Sequence, residues 1–474
     1  MTAEKVLDIF KEITAVPRCS GHEEPMTDWL CAWAEKHSLE YRRDKTGNVN
    51  IIRPASEGKE NVPTIVLQSH QDMVCEKKAG FAFDFLTEPI PYKIEDGWMI
   101  AENTTLGADD GIGIAASLAL LESKEPTGRI EAVFTISEET GMDGAEALEE
   151  GFFEGKALIN LDSEDEGQLF IGCAGGENTD AFFHYDFEPV NGDWKSLELR
   201  IEGGLGGHSG DDINKGRLNA VQTLARFMQE ELDEGMQLVI FSGGGKANAI
   251  ARDAKAVIVV PEAVATAKRF EAFGKQIKAE YSAVEKNLEF ICAPNVYNEK
   301  PMAVKDARVI VNSIANCPHG VVRMSPDIQN LVQTSTNLAA VDMSTRQLVK
   351  ITTSQRSSVV EELDETVAKV ARNFADAGAE VKSYSKYPGW KPDLDSHLLA
   401  VTKAAYRHLF DEEPLVLAIH AGLECGLFLE KFPYLDMISF GPTLRGVHGP
   451  GEKLELASLD KFVRLLDYIV CNYK

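Results

Sequence analysis

Basic residues are in short supply in this chain: 48 Lys and Arg stand against 75 Asp and Glu, a net charge of -27 over 474 residues. Phosphate recognition draws on clustered cations, so nucleic acid and anionic membrane surfaces are excluded as partners. No apolar run approaches the roughly 20 residues of a membrane span. The start, MTAEKVLDIFKEITAVP, lacks the basic flank and continuous apolar stretch of a secretory leader. The eight cysteines form no C-x-x-C pair and no short-loop framework, so they read as free thiols in a reducing cytoplasm. Internal repeats and low-complexity tracts are missing too.

Several motifs fail on inspection. GGHSGD has Asp211 where a nucleophile elbow needs glycine. SGGGKANA has Ile240 at the first glycine position of a P-loop and Ala247 in place of its Ser or Thr. ADDGIG lacks the alternating oxygen ligands of a calcium loop.

What is present is a chain that is 44% hydrophobic and longer than one core usually fills, which predicts two domains. Apolar spacing predicts helices over 3–15 and 23–36 and again within DGIGIAASLALLES. TIVLQ (64–68), IEAVFTI (130–136) and ALINL (157–161) read as buried strands, and their alternation with helix is α/β. Strands and helices after about residue 187 form a second, α+β unit, and the first resumes near YSKYPGWKPD. The expected architecture is an α/β domain over 1–186 and 386–474, a central mixed sheet flanked by helices, interrupted by an inserted α+β domain over 187–385.

Each predicted strand of the first domain delivers a ligand-type side chain just past its carboxyl end: His70 and Asp72, then Glu138 and Glu139, then Asp162. Open sheets bind ligands at that edge. LGADDGIG (106–113) and VHGPGE (447–452) add further carboxylates and a histidine. Imidazole with several carboxylates suits zinc or a neighbouring first-row metal. So many carboxylates repel one another unless cations intervene, and two metals answer that better than one.

The ordered set SHQDMV, LGADDGIGIA, SEETGMDGA, a following Asp and a C-terminal His resembles the co-catalytic zinc metallopeptidases. Within them, GGLGGHSGDDINKGRLNA, SQRSS and HAGLECG are most similar to the branch that cleaves Xaa-His dipeptides. The resemblance implies two divalent ions per subunit, zinc first, with manganese or cobalt able to share the ligands. His70, Asp109 and Asp162 would hold one ion and Asp109, Glu139 and His448 the other, Asp109 bridging across the family's usual cis peptide to its neighbour. Asp72 would orient His70, and Glu138 would be the general base. His208 would stabilise the oxyanion. Asn248, Arg356 and Glu424 would meet the substrate, the arginine at a terminal carboxylate and the glutamate at an amino group; His319 and His420 stay open. The implied protein is a cytoplasmic homodimer, paired through the inserted lid, that hydrolyses unblocked dipeptides such as β-alanyl-histidine. A broader aminopeptidase or tripeptidase, an N-acyl amino acid deacylase, and an inactive peptide-binding relative are the alternatives.

Overall fold

The computed structural model describes residues 1–296 and 299–474. They divide into two compact units: Met1–Gly172 with Pro392–Ala418 and Leu423–Lys474, and Cys173–Lys391 with Ile419–Gly422. The insertion therefore begins and ends outside the expected 187–385. The shift has a cause in pairing: strand Gly175–His184 lies between Leu348–Ser357 and Glu380–Tyr387, so its partners all belong to the second unit.

The first unit is built on an eight-stranded sheet. Strand Ile65–His70 runs parallel to both Ile130–Thr135 and Ala157–Asn160, and Asp436–Ser439 runs parallel to Ala157–Asn160. Val49–Arg53 is antiparallel to Ile130–Thr135, which makes the sheet mixed. All three expected strands form, and every residue of Ile65–His70, Ile130–Thr135 and Ala157–Asn160 is buried. Short runs buried on both faces are near-continuously apolar because helices cover each side. Helix Ala108–Glu122 lies between strand Ile65–His70 and helix Ala3–Ile13, buried from Ala108 to Leu121. The parallel register sets His70 beside Thr135 and Gln68 beside Asn160, so the three strands run out at one edge.

A separate four-stranded sheet joins Tyr92–Glu95, Trp98–Ala101, Lys453–Glu455 and Leu444–Arg445. Its last two strands form the hairpin that carries His448. The second unit has a nine-stranded sheet with antiparallel pairings. Its apolar core includes Leu224 and Phe227 of helix Ala220–Asp233, Phe270 of Ala263–Glu280, Ile310 of Val304–Ala315 and Phe374 of Val360–Ala375. That is the expected α+β character. Among the described residues no helix is long and apolar enough to cross a membrane.

The cysteine expectation needs correction. Cys19 and Cys75 form a disulfide across 56 positions, with Cα atoms 5.6 Å apart. Spacing could not reveal it, because tertiary pairing creates it: the Met73 amide donates to the Arg18 carbonyl at 3.0 Å and lays the two loops side by side. A cross-link closing a loop of this size constrains the unfolded chain. Cys75→Ser should therefore lower the stability of oxidised protein by about 2–4 kcal/mol. In the presence of reductant the two proteins should denature alike, which urea titration with and without dithiothreitol would check.

Candidate metal centre

The carboxyl edge of the first sheet gathers the side chains that the sequence singles out. His70 closes its strand, and its Nε2 lies 3.0 Å from Asp109 Oδ1 and 3.5 Å from Asp162 Oδ1. His448 Nε2 lies 3.1 Å from the other oxygen of Asp109 and 2.9 Å from Glu139 Oε2. The two oxygens of Asp109 thus face two different histidines. Ligand atoms of His70, Asp109 and Asp162, of Asp109, Glu139 and His448, and of His70, Glu138 and Glu139 form three overlapping groups, each within 4.8 Å.

Local backbone explains the convergence. Asp109 and Asp110 open helix Ala108–Glu122 with non-helical angles, and the peptide between them is cis. Glu138 and Glu139 occupy one tight turn after Ile130–Thr135. Ser137 and Met142 flank that turn with φ of 54° and 60°, unusual for residues with a Cβ. Asp72 holds it in place, its carboxylate accepting the amides of Glu138 at 3.0 Å and Glu139 at 3.2 Å and the hydroxyl of Ser20 at 2.8 Å. His70 Nδ1 is 3.1 Å from the Asp72 carbonyl oxygen and 3.4 Å from its carboxylate. Asp72 therefore touches the ring mainly through its carbonyl oxygen, while its carboxylate braces the neighbouring turn.

Electrostatics shows what this edge lacks in positive charge. Burial, then the neighbouring Asp109, raises Asp162 well above the carboxylate range. Burial first, with Glu424, Glu139 and Asp109 adding to it, lifts Glu138 to about 8. Burial opposes ionisation of Asp109 as well, yet hydrogen bonds from His448 and His70 hold it far below its usual value. Hydrogen bonds that the His448 ring donates to Asp109 and Glu139 drive His448 up to about 11. Among the described residues Glu139 Oε1 is buried without a hydrogen-bond partner, an orphan of the kind that a cation satisfies. Oxygen and imidazole donors, crowded like charges and a bare buried carboxylate oxygen together fit divalent metal.

Glu424 departs from expectation. Its side chain is wholly buried, and Oε2 accepts Gln68 Nε2 at 2.6 Å and Thr135 Oγ1 at 2.8 Å. Only Oε2 is so engaged; among the described residues the buried Oε1 has no hydrogen-bond partner. The side chain belongs to a buried polar ladder that composition did not suggest. Asn160 Nδ2 donates to Gln68 Oε1 at 2.6 Å, Ser439 Oγ to Asn160 Oδ1 at 2.5 Å, and Ser163 and Ser439 share a 2.6 Å contact. The available signal was Gln68 and Asn160, polar residues inside apolar strands, where burial demands partners.

In the second unit, His208 Nδ1 lies 3.4 Å from Asp211, and the Asn248 carbonyl accepts the Ser209 amide at 2.9 Å. Arg356 stands opposite Ser335 in its strand pair, buried, with Nη1 donating to the Tyr387 hydroxyl at 3.1 Å and Nε without a partner among the described residues. His420 Nε2 contacts Ser335 Oγ at 2.7 Å, so it joins the Arg356 neighbourhood; burial, then Arg356, lowers it to about 3. His319 is structural: its Nδ1 accepts the Leu338 amide at 3.2 Å.

A mixed sheet with this cation-seeking edge is the arrangement of a metal-dependent hydrolase. The chain belongs to the peptidase family M20/M25/M40, which it matches over residues 66–472. The cytosol non-specific dipeptidase of Escherichia coli (strain K12) is 37% identical over 473 residues, covering 98% of this chain and 97% of that protein. The crystal structure of aminoacylhistidine dipeptidase from Vibrio alginolyticus is similar at TM-score 0.92 and 35% identity, over 99% of this chain and 96% of that one. An aminopeptidase from Bacillus cereus ATCC 10987, 18% identical, shares the fold at TM-score 0.64 over 99% and 98% of the two chains.

These shifts set a pH dependence for protein stripped of divalent ions. Glu138 at about 8 and, through burial, Glu164 and Glu424 at about 7 keep protons that the unfolded chain has released. His448 does the same up to about 11. The folded state binds more protons throughout, so stability must fall as pH rises from about 5.5 to about 8.5. Asp109 and Asp72, held low, titrate below that window. Stripped protein should lose Tm across this range, and added divalent ion should flatten the slope; a rising Tm would contradict the assignment.

Proposed function

We propose that the chain is a dipeptidase working through two divalent ions, with unblocked dipeptides, Xaa-His foremost, as substrates. The observation that carries the proposal is Asp109, whose two oxygens each face a histidine, one at 3.0 Å and one at 3.1 Å. His70, Asp109 and Asp162 would hold one ion, and Asp109, Glu139 and His448 the other, with zinc the best match to the donors and manganese or cobalt able to replace it. When bound, such ions polarise the scissile carbonyl and lower the pKa of water.

The chain supplies proton transfer and orientation. Glu138 sits beside the ligand Glu139 in one turn, so its carboxylate is free to take a proton from water and pass it to the leaving amine. A base that takes the proton and later returns it works best when its proton affinity lies near the working pH. Asp72 keeps the His70 ring aimed and the Glu138 turn fixed. From the second unit, His208 is assigned as the donor to the developing oxyanion. Arg356, with a fork of donors of which Nε is uncommitted, is assigned to the substrate's terminal carboxylate. Asn248 is assigned to the substrate backbone.

Two relatives inform substrate choice. The Vibrio alginolyticus protein is named for aminoacyl-histidine and the Escherichia coli protein for non-specific dipeptidase action. The latter name also supports a cytosolic setting. A panel of Gly-His, β-Ala-His, an apolar dipeptide, a tripeptide and an acetylated amino acid separates the readings. The dipeptides should be cleaved, the two His dipeptides fastest, and chelation should abolish the activity until metal is returned. A tripeptide cleaved while neither His dipeptide is would overturn the substrate assignment. Glu138→Gln should retain metal and lose about 100-fold to 10,000-fold in kcat.

The same proposal includes a homodimer through the second unit. Strand Gly320–Met324 pairs, among the described residues, with Val332–Asp342 alone and leaves Val321, Val322 and Met324 exposed. Such an edge invites a second copy. Sedimentation equilibrium should give twice the chain mass of 52.0 kDa, and Val322→Lys should shift the protein toward monomer.

A further inference from the structure

Two buried charged side chains have no part in the chemistry above: Arg18 and Glu452, each 2% exposed. Arg18 reaches two ligand loops at once. Its Nη1 donates to the carbonyl oxygens of Gln71 at 3.0 Å and Asp72 at 2.8 Å, and its Nη2 donates to that of Gly107. Glu452 takes the other side of the second loop. Its Oε2 accepts the amides of Leu106 at 2.8 Å and Gly107 at 3.0 Å, and its Oε1 accepts that of Ala108 at 2.8 Å, with the Asp109 amide at 3.5 Å.

The surroundings are shaped for this fork. Gly107 has φ +67°, and a Cβ at Gly107 or Gly111 would fall 2.5 or 2.6 Å from Arg18 Nη2. Each loop so gripped carries metal-type ligands. Residues 70–72 hold His70 and Asp72, residues 106–109 end in Asp109, and Glu452 follows His448 in one short hairpin loop. An apolar pair could fill such a volume without the penalty of burying charge. What apolar side chains cannot do is fix the direction of seven main-chain groups. Ligand atoms misplaced by a fraction of an ångström bind metal poorly.

We propose that Arg18 and Glu452 are positioning residues for the metal centre, locking the main chain of 70–72, 106–109 and the His448 loop into one register, so that losing either weakens metal binding and leaves proton transfer at Glu138 intact. The proposal rests on the metallopeptidase reading. Its test uses full-length wild type, Arg18→Lys, Glu452→Gln and Glu138→Gln, each stripped and titrated with zinc against a chromophoric chelator. The Tm of metal-free protein and kcat on Gly-His against free zinc are read in parallel.

Arg18→Lys and Glu452→Gln should bind zinc roughly 10- to 100-fold more weakly than wild type, with kcat recovering at saturating zinc. Glu138→Gln should show the reverse, wild-type affinity and lost kcat. A lowered metal-free Tm with unchanged zinc affinity would make the pair merely structural and overturn the proposal, as would a kcat that stays low at saturating zinc. Should Glu452→Gln fail to fold, Arg18→Lys and Glu452→Asp carry the same measurement. Wild type that binds no divalent ion would overturn the metallopeptidase reading and the clamp together, whereas equal affinities in all proteins would overturn the clamp alone.

Discussion

Like charges gathered in a poorly solvated place repel, and the first unit gathers Asp109, Asp162, Glu138 and Glu139 at one sheet edge. Burial raises the free energy of ionised Asp162 and Glu138 there, and the neighbouring carboxylates raise it again. Two imidazoles compensate part of that charge: His70 reaches Asp109 and Asp162, and His448 reaches Asp109 and Glu139. Everything else about this edge follows from having to hold those groups together. Hydrogen bonds to Asp72, a tight turn entered and left through left-handed residues, and a helix start bent at Asp109 are the means.

Such an arrangement needs a stiff base. The strand ends rest on a ladder of amide, hydroxyl and carboxylate groups running from Thr135 through Glu424, Gln68, Asn160 and Ser439 to Ser163. The Gln68–Asn160 and Asn160–Ser439 rungs tie neighbouring strands together, and Glu424, at the start of a helix, joins Thr135 to Gln68. A buried polar network of this type specifies one alignment among many that apolar packing would tolerate. The ladder thus links the turn bearing Glu138 to the loop bearing Asp162 through groups that never reach the surface.

Much of this was legible in the residues. Apolar runs such as TIVLQ and ALINL show strands because burial on both faces leaves no polar alternation, and ligand-type side chains just past their ends show where the site lies. Helix His397–Phe410 follows SHLLAVTKAAYRHLF closely for the same periodic reason. What stayed hidden depends on contacts between distant segments. The Cys19–Cys75 pairing arises from loops laid side by side, and the sheet shared by residues 92–101 and 444–455 joins stretches with weak patterns of their own. Glu424 misled because a motif shows a residue type, whereas only packing shows which way a carboxylate faces. The boundary at Gly172 was missed because a strand's allegiance is set by its partners.

The order of these side chains along the chain has a consequence for biosynthesis. His70, Asp109, Glu138, Glu139 and Asp162 all leave the ribosome before the second unit does, while His448 emerges only after it. Strand Asp436–Ser439, which carries one rung of the ladder, is also a late arrival. A nascent polypeptide therefore carries an acidic half-nest through most of translation, and it becomes a finished catalyst only when the last hairpin swings home.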